Sequence, residues 1–233
     1  MITAAVAPGR SERKRRAILA AAEELFLRHG YLGTSMDELA ELSNVSKQTV
    51  YAHFGSKEAL FVELVTSMTG AAGDGLHDLD VEPAADGDVA GYLERYAADQ
   101  LGIVMTPRLL KLRRLVIAEV GRFPALARAL YENGPQRAIG SLAAAMSGLR
   151  DRGLLDLDDA VEAATTFNWL VMAAPVNEAM LLGDDAIPSP EALRRHAAHA
   201  TGVFLAAYGG MRPARPATRA GRLHPDARLG APS

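Results

Sequence analysis

The stretch Ser35–Lys57, SMDELAELSNVSKQTVYAHFGSK, constrains this chain more than any other. It spells two short helices around a tight turn, then the start of a third. Ser35 and Glu38 stand at the spacing of a capping box, which supplies bonds that a helix N-terminus otherwise lacks. Met36, Leu39 and Ala40 give the first helix an inward face, and Ala40 is small enough for a second helix to cross close by. Asn44 falls where the chain must reverse, and asparagine is the commonest residue after glycine in the left-handed backbone. Val45 then returns to the core, and Ser46 is placed to cap the second helix. There Val50 and Phe54 lie i, i+4 and face inward, while Lys47 and Tyr51 share another face with Gln48 beside them. Gly55 ends the helix and Ser56 caps the next. The predicted unit is a helix-turn-helix with hydrogen-bonding side chains at the exposed start of its second helix, the arrangement that a helix in a major groove needs. By spacing alone, the same residues also fit an ordinary helical hairpin with solvated polar positions.

If this unit meets DNA, each polar residue has a chemical role. Lys47, Gln48 and Thr49 stand nearest the base edges: glutamine pairs with adenine, lysine with guanine acceptors, and the threonine methyl meets the thymine methyl. Ser46, Tyr51 and His53 are donors for phosphates. Thr34 and Ser35, at the start of the first helix, and Lys57, at the start of the third, can grip the backbone on either side. Packing of the Tyr51 ring against the first helix is the alternative role for that residue.

The segment SMDELAELSNVSKQTVYAHFGSKEAL resembles the DNA-binding signature of the TetR family of bacterial transcriptional repressors, and the likeness extends back through Arg13–Gly33. Asn44 departs from the family's usual glycine, but it adopts the same backbone. The resemblance assigns Tyr51, His53 and Lys57 to phosphate contacts. It implies that the helix after Ser56 joins the DNA-binding headpiece to a regulatory body. It also implies a homodimer paired through its last two helices, a near-palindromic double-stranded DNA operator, and a small-molecule effector that releases it. Arg114–Pro135 and the long helices that follow are similar to the regulatory domain of the AefR-like subgroup, over roughly Ala90–Gly209. A transcriptional activator of the same fold, or a helical oligomerising protein that does not read DNA sequence, are the competing readings.

No stretch of useful length alternates as a strand does, so the expected fold is all-α. We expect a disordered N-terminus over 1–10, a helix-turn-helix DNA-binding domain over 11–70 with its motif at 35–54, a regulatory and dimerisation domain over 71–209, and a disordered basic tail over 210–233. Ser11 is placed to cap the first helix and His29–Gly30 to close it. Residues 70–88 read as a helix end and an acidic loop. Asp88, Thr106–Pro107, Asp158 and Ser189–Pro190 read as later helix starts, with an interruption at Asn133–Gly134–Pro135. In the body, Tyr92, Tyr96, Asn168, Met172 and Asn177, with Trp169, are polar or aromatic residues at interior positions and are the candidate ligand-binding set. The walls read as apolar, which predicts a neutral or weakly polar ligand. Pro175 lies within a helix and frees the Val171 carbonyl. Val203 and Phe204 are assigned to the dimer face.

Net charge is only −3, so any DNA binding must come from a local basic surface, such as Arg10, Arg13, Lys14, Arg15 and Arg16. The absence of cysteine excludes disulfides and thiolate metal sites. His196 and His199 lie i, i+3, but they read as a solvated pair, and no metal or cofactor is expected. There is no phosphate-binding loop, dinucleotide fingerprint, nucleophile elbow or HExxH helix, so no enzyme is expected. No apolar run approaches the ~20 residues of a membrane span, and at the N-terminus the charges follow the apolar residues, the reverse of a secretory signal. A cytoplasmic protein without membrane partners is the expectation.

Overall fold

A computed structural model describes residues 9–77 and 87–210. The helices are α1 (Arg10–Gly33), α2 (Met36–Leu42), α3 (Lys47–Phe54), α4 (Lys57–His77), α5 (Val89–Val104), α6 (Pro107–Glu119), α7 (Pro124–Tyr131), α8 (Arg137–Asp151), α9 (Ala160–Leu182) and α10 (Pro190–Tyr208). The described residues contain no strand, and the fold is all-α. The expectations for residues 1–8, most of the acidic loop and the basic tail from 211 onward lie outside the described residues.

Local chemistry sets most boundaries. Ser35 and Glu38 form both bonds of the capping box, at 2.9 and 3.1 Å. Ser56 accepts from the Ala59 amide, Asp88 from Gly91 and Ser189 from Ala192. Thr106 caps α6, with Pro107 occupying the first helical position. Gly30 closes the first helical segment as expected, taking φ 75°, ψ 174°, and beyond this kink one further turn runs to Gly33. Three boundaries differ from expectation. α1 begins at Arg10 behind Gly9, without a side-chain cap from Ser11. The cap of α9 is Asp159 rather than Asp158, because one Asp159 oxygen accepts from both Val161 and Glu162, at 2.7 and 3.2 Å. The Asn133–Pro135 interruption is a π-helical turn, Glu132–Gln136, that links α7 to α8. This wider turn accommodates Pro135, which has no N–H to give.

Two apolar cores result. The first gathers Ile18 and Phe26 of α1, Leu39 of α2, Val50 of α3, and Phe61 and Val65 of α4. It continues into Leu112 and Val116 of α6 and Leu126 of α7. The second joins Leu93 and Leu101 of α5, Met146 of α8, Phe167 and Val171 of α9, and Phe204 of α10. Leu110 belongs to this second core, so α6 is built into both. Arg108 of α6 also pairs with Glu23 of α1.

Candidate nucleic-acid interface and internal cavity

The turn between α2 and α3 is made by Asn44, the only non-glycine residue with positive φ (52°) among the described residues. Its backbone lets the Val45 amide reach the Ala40 carbonyl at 3.0 Å, and Val45 rests against the first core. Ser46 caps α3 by accepting from the Thr49 amide at 3.2 Å, and the two hydroxyls bond at 2.8 Å. Val50 and Phe54 are buried, which fixes the rotation of α3 and turns Lys47, Gln48 and Tyr51 outward. Tyr51 is 44% exposed, so its ring is partly covered and partly open to solvent, compatible with both of its expected roles.

The nine interface candidates have different surroundings. Gln48 is exposed and has no side-chain partner among the described residues. Lys47 lies 2.9 Å from Asp37 of α2, which raises its pKa. Lys57 sits 4.6 Å above the Tyr31 ring; burial lowers its pKa, opposed by the nearby Glu119 and Glu38 carboxylates. The exposed Ser35 hydroxyl accepts from the Glu38 amide as the cap of α2, and His53 packs beside Phe54. Thr34 differs from the reading of an exposed grip: it is 2% exposed and its hydroxyl donates to the Gly30 carbonyl at 2.9 Å. Within the basic cluster of α1, Arg15 pairs with Glu63 and lies 4.9 Å over the Phe54 ring, and Arg16 pairs with Glu12. Asp37 was missed in the sequence because its partner stands ten residues away on another helix.

Between α5, α6, α8 and α9 lies a cavity of about 1060 Å³. Tyr92, Tyr96, Asn168, Trp169, Met172 and Asn177 all line it. Gln100 and Arg113 line it too and were not anticipated. Gln100 continues the Tyr92–Tyr96 stripe by one further i+4 step, a signal that was there to read. Arg113 had none, standing between Leu112 and Arg114 in a mixed run. Gln100 Nε2 donates to Asn168 Oδ1 at 3.0 Å, and Tyr96 donates to the Ala138 carbonyl. On the far side of α9, the carbonyl freed by Pro175 is used: His196 Nε2 of α10 donates to Val171 O at 2.9 Å. No helix among the described residues is long and apolar enough to cross a membrane.

Comparison with known proteins agrees with this architecture. Residues 18–64 match the profile of bacterial regulatory proteins of the tetR family. Residues 91–210 match that of the AefR-like transcriptional repressor C-terminal domain. A TetR-family transcriptional regulator of Mesorhizobium loti is 39% identical, with a TM-score of 0.79 over 87% of this chain and 100% of that one. The flavonoid-responsive regulator FrrA is 33% identical, with a TM-score of 0.72 over 84% of this chain and 97% of its own. The HTH-type regulator YhgD of Bacillus subtilis is 44% identical over 55 residues, 24% of this chain and only 29% of YhgD. The chain belongs to the TetR family of DNA-binding transcriptional regulators and carries an AefR-like C-terminal domain.

Proposed function

We propose that the chain is a cytoplasmic, homodimeric repressor that holds a near-palindromic operator until a small molecule enters its cavity. The observation that carries the reading is the start of α3, where a capped helix, fixed from behind by Val50 and Phe54, presents Lys47 and Gln48 outward. In this reading Lys47, Gln48 and Thr49 face base edges, with Ser46, Tyr51, His53, Ser35 and Lys57 on phosphates. Lys47 exchanges Asp37 for DNA as it docks, and Lys57 reaches out from the Tyr31 ring. Residues 11–70 form the DNA-binding unit and 71–209 the regulatory and dimerisation unit.

Release through α6 is supported by its place in both cores. Leu112 and Val116 pack into the headpiece core, while Leu110 and Arg113 of the same helix line the cavity. A ligand that shifts α6 therefore disturbs the seat of α1 and α4. It acts only by its different affinity for the two arrangements, so DNA must weaken ligand binding by the same factor. That FrrA is flavonoid-responsive supports a small-molecule effector here. Dimerisation is supported by apolar side chains left exposed on α9 and α10 outside the cavity: Val161, Leu182 and Val203. An interface of ~2,000 Å² or more is expected.

The test is to sequence the genomic fragments that the purified protein selects. One recurring near-palindrome is expected, its half-sites about one helical turn or a multiple apart. A selected pool with no common motif would contradict the proposal.

A further inference from the structure

The lining of the cavity holds three arginines, Arg113, Arg114 and Arg137, and neither an aspartate nor a glutamate. Two of the three are engaged. Arg114 pairs with Asp184 at 2.8 Å and donates to the Ala179 carbonyl at 2.7 Å, and Arg137 has a partner of its own. Arg113 has no ion-pair or hydrogen-bond partner among the described residues. Burial pushes its pKa down, as it must when a guanidinium loses water and gains no counter-charge, yet an arginine side chain stays protonated in a protein. A second group is also unspent. Gln100 is 3% exposed, its Nε2 is committed to Asn168, and its Oε1 is buried with no protein donor. Around these polar points the walls are the rings of Tyr92, Tyr96 and Trp169 and the thioether of Met172.

We propose that the cavity takes a small organic anion, with an apolar ring-sized body, one acidic group that pairs with Arg113, and a donor that satisfies Gln100. This rests on reading the cavity as the effector site, and it replaces the neutral ligand expected from the sequence. One unneutralised arginine matches one negative charge. The missing carboxylates leave nothing to repel that charge. The aromatic walls accept a flat body in either orientation, so the charged contact fixes which end enters first. Anchored on α6, the acidic group bears directly on the helix that also enters the headpiece core.

The probes for the test are 1-anilinonaphthalene-8-sulfonate and the uncharged N-phenyl-1-naphthylamine, which share one ring body and differ in the acid group. Both are titrated by fluorescence into the full-length protein and into Arg113→Met and Ala138→Trp. Ala138 is a half-buried wall residue, so its enlargement obstructs the cavity. The wild type should hold the anion at least about tenfold more tightly than the neutral probe. Arg113→Met should erase that preference and leave the neutral probe within about twofold. Its thermal midpoint should equal or exceed the wild type's, because it removes a charge that lacks a partner. Obstruction by Ala138→Trp should weaken both probes. Equal affinity for the two probes in the wild type, or equal losses of both in Arg113→Met, overturns the anion inference while the cavity still binds. If Ala138→Trp leaves both probes bound, they sit elsewhere, and the effector-cavity reading falls together with the inference.

Discussion

Pro175 and His196 make a prediction that a double-mutant cycle can measure. Proline inside α9 has no N–H for the carbonyl four residues back, so Val171 O loses its helical donor. His196 Nε2 replaces it from α10 at 2.9 Å, which requires that this nitrogen carry a proton. Val171 is 0% exposed, so a carbonyl abandoned there has little access to water. Replacing His196 by alanine in the natural background should cost about 1–3 kcal/mol for the orphaned acceptor, plus the packing of a half-buried ring. In a Pro175→Ala background the helix supplies its own N–H to Val171. There, His196→Ala should cost only the packing term. The packing term and the intrinsic effect of removing proline both cancel in the cycle, leaving a coupling of about 1–2 kcal/mol. The assay is urea unfolding of the four proteins at one fixed protomer concentration, since association adds to apparent stability. If His196→Ala costs the same in both backgrounds, within about 0.5 kcal/mol, His196 is only a packing residue and the substitution argument is wrong.

Three further outcomes are expected. Asp37→Ala removes the carboxylate that holds Lys47 at 2.9 Å and should tighten binding to random DNA and steepen its salt dependence, as read by fluorescence anisotropy over a salt series. Val203→Glu, at a site 46% exposed, should yield a folded monomer by solution mass measurement, whereas Phe204→Ala, 1% exposed and stacked on Tyr208, should instead lose about 3–5 kcal/mol of stability. Bonds to the Ser35 backbone and hydroxyl hold the Glu38 carboxyl below the ordinary glutamate range. A folded pKa below the unfolded one contributes stability above the unfolded value, and that contribution is lost as pH falls through the folded one. Glu38→Gln should therefore be less stable than the wild type at neutral pH and converge with it in acid, as followed by thermal unfolding across pH.

What could be read from the sequence was whatever a few neighbouring residues decide. The capping box at Ser35, the left-handed Asn44 and the cap at Ser46 depend on positions within about one turn, and each formed as expected. Of the aromatic and amide residues read as interior from helical spacing, Tyr92, Asn168 and Met172 are buried and Tyr96 is half-buried, whereas Trp169 and Asn177 line the cavity from exposed positions. Partners supplied by another helix were not legible. Nothing near Pro175 announces that His196 will take its carbonyl, and nothing near Lys57 announces the Tyr31 ring beneath it. Thr34 was read as a surface donor from its polarity, but the backbone at Gly30 turned it inward. Val203 and Phe204 were placed on one face because both are apolar. Adjacent residues on a helix point about 100° apart, and only the packing of α10 on α5 and α9 decides which one is buried. Arg113 became conspicuous only once its neighbours could be counted for charge.

The central claim is that the start of α3 reads base sequence, and Gln48 tests it most directly because it is exposed and carries no structural bond. The measurement is the affinity of the wild type and of Gln48→Ala for the selected operator and for a scrambled duplex of equal length, at one salt concentration. The account predicts a loss of about 1–3 kcal/mol on the operator and a much smaller loss on the scrambled duplex. Equal losses on the two duplexes, or none on either, would contradict it.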